Sequence, residues 1–183
     1  MIRRTLFQLT ALALLAAAPL SLRSQPLAVP EYRLKAAFLF NFMQFVQWPA
    51  TAFAGGASPL VIGVLGEDPF GEQLDQLVRG EQIRGRPIVV QRHARLEDVR
   101  QCQLLFINER DQRKLKAILA ALAQQPILTV SDAPDFTRSG GMINFVTQDN
   151  HVRLLINVDA ATAAQLTLSS KLLRPAQIVT VEP

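Results

Sequence analysis

Between residues 31 and 48 apolar side chains recur at three- and four-residue intervals, which predicts a helix with Pro30 near its first position and Pro49 as its stop. Leu34, Phe38, Phe42 and Phe45 form one stripe, and Leu39, Met43 and Val46 another, with Phe40 and Trp48 besides. That is a wider apolar surface than a helix on a protein surface normally buries. The helix is therefore expected to be sandwiched in the core or to offer its surplus to a partner, and Phe38, Phe42, Phe45 and Trp48 are the candidate partner-binding residues.

From Pro59 onward short β-branched runs alternate with helical patterns, the signature of a mostly parallel sheet with crossover helices. Strands are predicted over 60–65, 87–91, 104–108 and 127–130, and helices over 72–78 and 111–123. Gly140-Gly141 then turns the chain into 142–146, Asp149-Asn150 makes a tight connection, and 152–158 returns as the second arm of a β-hairpin. A helix over 160–173 and a last strand over 177–181 complete the reading. The fold class is α/β: one domain over 26–183, with a mixed, mostly parallel sheet flanked by helices and a C-terminal β-hairpin and helix.

The first 25 residues stand apart. Arg3 and Arg4 precede an uncharged, largely apolar stretch from Leu6 to Leu22, and Ala16-Ala17-Ala18 offers small residues for cleavage, with a later cut near Gln25 as the other choice. This is the pattern of a signal peptide for export, here to the periplasm. The stretch is at the lower limit for spanning a bilayer and is interrupted by Gln8, Thr10 and Pro19. The formal net charge of the whole chain is +4; residues 1–25 hold Arg3, Arg4 and Arg23 and no acid, so +1 remains without them. A nearly neutral chain without a basic cluster has no electrostatic basis for binding nucleic acid. The sole cysteine, Cys102, precedes an apolar run and reads as a buried thiol.

Candidate chemistry is sparse. In open α/β sheets ligands bind at the carboxyl ends of parallel strands, so Asp68, Asn108, Ser131 and Asp132 are the candidate ligand-binding residues of one rim. The layout resembles a phosphoacceptor receiver domain, but Gly66-Glu67-Asp68 and Asn108 stand where that chemistry needs an acidic pair and an aspartate. The turn Gly66 to Gly71 lacks the spacing and lysine of a phosphate loop. His93 and His151, the only histidines, lie in no recognisable nucleophile arrangement, and nothing resembles closely spaced zinc ligands. No catalytic residue, metal or cofactor is assigned, and a binding function is expected rather than an enzyme. Lys171, within Ser169-Ser170-Lys171-Leu172-Leu173-Arg174, either complements a helix C-terminus or serves as a further partner-binding residue.

Several of these segments resemble one family. Glu31-Tyr32-Arg33-Leu34-Lys35-Ala36-Ala37-Phe38-Leu39-Phe40-Asn41-Phe42, Phe45-Val46-Gln47-Trp48-Pro49, Gly63-Val64-Leu65-Gly66-Glu67-Asp68-Pro69-Phe70-Gly71, Leu128-Thr129-Val130-Ser131-Asp132, Gly140-Gly141-Met142-Ile143-Asn144-Phe145, Ile156-Asn157 and Ser169-Ser170-Lys171-Leu172-Leu173 are, in this order, similar to the YfiR family of periplasmic proteins. The resemblance covers essentially the whole chain after residue 25. It implies a regulatory protein that binds the periplasmic region of an inner-membrane diguanylate cyclase and represses it, lowering cyclic di-GMP and biofilm formation. It also implies relief by an outer-membrane lipoprotein, and a homodimer. With Cys102 alone, a redox switch built on paired cysteines does not carry over. The alternative expectation is a periplasmic small-molecule sensor feeding another membrane receptor or kinase.

Overall fold

Helix α1 runs from Ala28 to Phe45 and opens the computed structural model, which describes residues 28–180. The expected signal peptide lies outside the described residues. Among these, no helix is long and apolar enough to cross a membrane. α1 passes without a loop into the short strand β1 (Val46–Gln47), and Pro49 then begins a 3-10 turn at Ala50–Ala52.

The main sheet begins with β2 (Leu60–Gly66), in which every residue from Leu60 to Leu65 is buried. A strand covered on both faces must be apolar on both, so it reads as a continuous hydrophobic run and not as an alternation. Strands β4 (Arg86–His93) and β5 (Leu104–Asn108) flank it, both parallel to it. β6 (Leu128–Ser131) and β7 (Ile143–Gln148) extend the parallel array, and β8 (His151–Ile156) returns antiparallel to β7. One edge is β10 (Gln177–Ile178), parallel to β8; the other is β3 (Gln82–Ile83), antiparallel to β4. The spatial order is β10-β8-β7-β6-β5-β2-β4-β3.

The sheet separates two hydrophobic cores. On one face Leu60, Ile62, Val64, Leu104 and Phe106 pack against α1 and α2 (Glu72–Val78) through Leu39, Phe42, Met43, Leu74 and Val78. On the other, Val61, Leu65, Leu105 and Ile107 meet α3 (Gln112–Leu122) through Leu115, Leu119 and Leu122. Asp111 caps α3, its side chain accepting from the Arg113 and Lys114 N–H groups, which leaves that helix with a defined start.

The hairpin connection matches its chemistry. Asp149 and Asn150 both take left-handed backbone conformations (φ 50° and 59°), as a two-residue turn between twisted strands requires. The expected helix over 160–173 is instead three elements: α4 (Val158–Ala163), β9 (Thr167–Leu168) and α5 (Ser170–Leu173). Two effects break it. Gln165 adopts φ 61°, where the Leu166 N–H closes on the Ala161 carbonyl, and β9 pairs antiparallel with β1 (Val46↔Leu168). The long-range pairing outcompetes local helix propensity, which is a weak preference per residue. The strand expected over 177–181 is assigned only at Gln177–Ile178, and Val181 lies outside the described residues.

Candidate functional site

The carboxyl end of β6 places Asp132 beside the start of α1. Its Oδ2 accepts from the Lys35 ammonium (2.6 Å) and from the Tyr32 hydroxyl (2.8 Å), and Arg110 donates to Oδ1 (2.8 Å) and to the Asp132 carbonyl (3.1 Å). Lys35 also pairs with Glu31 one helical turn earlier (2.6 Å), and the Thr147 hydroxyl donates to that carboxylate (2.8 Å). Lys35 is 2% exposed. An ammonium taken out of water to that extent is tolerable only when its charge is compensated, here by two carboxylates.

Burial alone would raise the Asp132 carboxyl, but the hydrogen bonds from Lys35 and Tyr32 and the charges of Lys35 and Arg110 outweigh it, leaving it below the usual carboxylate range. Glu31 is likewise lowered, chiefly by the Lys35 hydrogen bond. Tyr32 moves the other way, to about 12, because desolvation and the neighbouring Asp132 both oppose a phenolate. The cluster is therefore two carboxylates and two cations, with a neutral phenol.

These groups line a cleft of roughly 840 Å³, within the range of small-molecule sites. It opens between the segment that follows β6 and the strands β7, β8 and β10. Asn144, Leu155 and Gln177 are register partners across those strands and therefore share a sheet face, and all three line the cleft. Asn144 is 3% exposed, and its side-chain Oδ1 has no hydrogen-bond partner among the described residues.

A family profile described as YfiR/HmsC-like matches residues 32–177. The chain belongs to the YfiR/HmsC-like family. No curated protein matches the sequence. The matched span takes in both cores of this YfiR/HmsC-like domain and nearly all of the charged cleft.

Within the YfiR/HmsC-like fold the four rim residues read from the sequence do not share one site. Asp132 lines the cleft, whereas Ser131 is fully buried behind it, donating to the Ile107 carbonyl and accepting from the Ala133 N–H. Asp68 and Asn108 sit at the ends of β2 and β5, where the strand order reverses, but there the crevice is filled. Asp68 accepts from the Phe70 N–H and pairs with Arg92, which also holds Asp75. Asn108 donates to the Glu67 carbonyl at 2.7 Å, and Phe70 packs edge-on to Phe106 at 4.8 Å. The open site has moved two strands along, to the β6–β7 end.

The aromatic residues of α1 lie mainly inward. Phe42 is 1% exposed and stacks on Phe145 at 5.9 Å; Phe38 packs against both rings. Phe45 and Trp48 are partly buried against the same core, and the Trp48 indole N–H donates to the Gln103 carbonyl. Leu34, by contrast, is 46% exposed. The buried stripe of the helix is Lys35, Ala36, Leu39, Phe42 and Met43, continued by Val46 of β1, and it is rotated from the one hydrophobicity suggests. Lys171 is exposed, at the second position of the four-residue α5, where its N–H donates to the capping Ser169 side chain. Glu31, Tyr32, Lys35, Arg110 and Asn144 were not among the candidate site residues. The signal for the first three was a lysine on a buried stripe with an acid four residues before it.

His93 rests on Cys102, its Nε2 3.4 Å from Sγ, and burial pushes that thiol up to about 12. A thiol held protonated in this way is a poor nucleophile. His151 is exposed at the hairpin turn.

Proposed function

We propose that this chain is a periplasmic regulatory protein that acts by binding, not by catalysis, and represses an inner-membrane diguanylate cyclase through the cyclase's periplasmic sensor region. Cyclic di-GMP, and with it biofilm formation, falls while the two are bound. The observation that carries this reading is family membership across residues 32–177. The unreactive Cys102 beside His93 is consistent with it. Repression of this kind is a population shift: the ligand protein must bind the inactive arrangement of its receptor more tightly than the active one.

The test is the intracellular cyclic di-GMP level in the native host with the gene deleted and then restored. A rise on deletion that restoration reverses is expected. An unchanged level, under conditions where the protein is made, overturns the repressor reading.

One observation favours a second reading, a sensor of a small molecule that feeds a membrane receptor or kinase. It is Asn144, which lines the cleft and whose buried Oδ1 has no partner among the described residues. The readings are compatible, because a small molecule with different affinity for the free and receptor-bound protein shifts that equilibrium by linkage.

A further inference from the structure

We propose that the cleft at the β6–β7 end is an effector site for a small organic anion that also carries a hydrogen-bond donor and an apolar body. This deepens the sensor reading and rests on it; it does not depend on what the receptor is.

The polar groups of the cleft divide into those already satisfied and those left open. Lys35 stands against the two carboxylates of Glu31 and Asp132 in the buried wall, with Arg110 balancing the remaining charge, so Lys35, Glu31 and Asp132 hold the architecture and have little left to offer a ligand. At the mouth the balance differs. The Arg110 side chain is 55% exposed and spends two contacts on Asp132, leaving further guanidinium N–H groups uncommitted. Arg138, also lining the cleft, is 78% exposed and reaches its one described acidic partner, Asp135, only at 3.5 Å. Two exposed guanidinium groups with unused donors favour a carboxylate or phosphate, which they recognise through paired hydrogen bonds.

Deeper in, the need is reversed. Asn144 lines the cleft and its buried Oδ1 has no partner among the described residues; an unsatisfied buried polar atom costs stability that a ligand N–H or O–H reaching it would recover. The wall also includes Val146, Leu155 and Val179, so part of the ligand meets apolar surface. A cleft of roughly 840 Å³ holds a molecule of this kind with room for water. Carboxylate and phosphate share the recognition chemistry, and the probes below separate them.

The test is thermal unfolding of the purified protein at neutral pH, titrated with 4-hydroxybenzoate, 4-hydroxyphenyl phosphate and the neutral 4-hydroxybenzamide. At least one anion should raise the melting temperature saturably, as a ligand specific for the native state does. The amide should not. Which anion is stronger separates carboxylate from phosphate. Arg110→Gln should weaken the responsive anion about ten-fold or more, in line with loss of a charge-assisted contact. Asn144→Leu, which removes the orphan acceptor at similar volume, should weaken 4-hydroxybenzoate while leaving the unliganded melting temperature equal or higher. If the amide stabilises as well as the anions, the anion assignment is overturned and the sensor reading stands. If no probe gives a saturable shift, or if Arg110→Gln leaves the response unchanged, the site itself is overturned.

Discussion

At the residue scale the decisive position is Lys35. Its ammonium is held between Glu31 and Asp132 with almost no access to water, so replacing it removes the counterion of two carboxylates at once. Lys35→Met should destabilise the protein by about 3 kcal/mol or more, since breaking a buried pair from one side strands the other charge. Arg110→Gln, at the exposed side of the same aspartate, should cost about 1 kcal/mol or less. Urea unfolding of the two variants side by side measures the contrast. The pH dependence follows from the same cluster. Asp132 and Glu31 have lowered pKa values, so their contribution is present above their unfolded values near about 4 and is lost as pH falls through the folded ones. Tyr32 and Cys102 are raised to about 12, so theirs is full below their unfolded values of about 10 and 8.5 and is lost as pH rises towards 12. Unfolding free energy should therefore plateau between about pH 5 and 8 and fall on both sides. In Asp132→Asn the acid limb should become shallower; an unaltered limb would assign it to other carboxylates.

At the element scale, α1 and the glycines of the sheet set how closely layers approach. Phe42→Ala should cost about 3–5 kcal/mol, because a fully enclosed ring leaves a cavity. Leu34→Ala, half exposed on the same helix, should stay within about 0.5 kcal/mol. If a Leu34 variant at unchanged stability weakens receptor capture, the exposed side of α1 carries the interface. Gly63 has a different task. A Cβ there would lie 2.5 Å from Cys102 Sγ and 2.9 Å from Leu105 Cδ1, both of them buried side chains. Gly63→Ala should destabilise by about 1–3 kcal/mol, and adding Cys102→Ala should recover part of the loss. A thermodynamic cycle on the four proteins checks this. Gly141 faces the same constraint, since a Cβ would overlap the Phe136 ring.

At the scale of the whole molecule, an eight-stranded mixed sheet between two cores positions a charged cleft where β6 and β7 end. A receptor-binding protein with such a cleft can couple a small molecule to its partner only if the two binding events differ in the state they favour. Repression, measured as cyclic di-GMP, should then respond to the cleft variant Arg110→Gln only under conditions where the effector is present; a response independent of the effector would place Arg110 in the receptor interface. What the sequence determined by itself was local. Runs such as Leu60 to Leu65 and Leu104 to Ile107 read as strands, Asp149-Asn150 as a tight turn, and Cys102 as a buried thiol. What it left open depended on contacts between distant segments. The β1–β9 pairing split one apparent helix, an ion pair spanning 97 residues drew Lys35 inward while Leu34 turned outward, and the packing of Phe70 on Phe106 filled the crevice at Asp68 and Asn108. Periodicity ranks residues by their own hydrophobicity, whereas burial of a charge is decided by the partner that meets it, and only the tertiary structure brings Asp132 to Lys35.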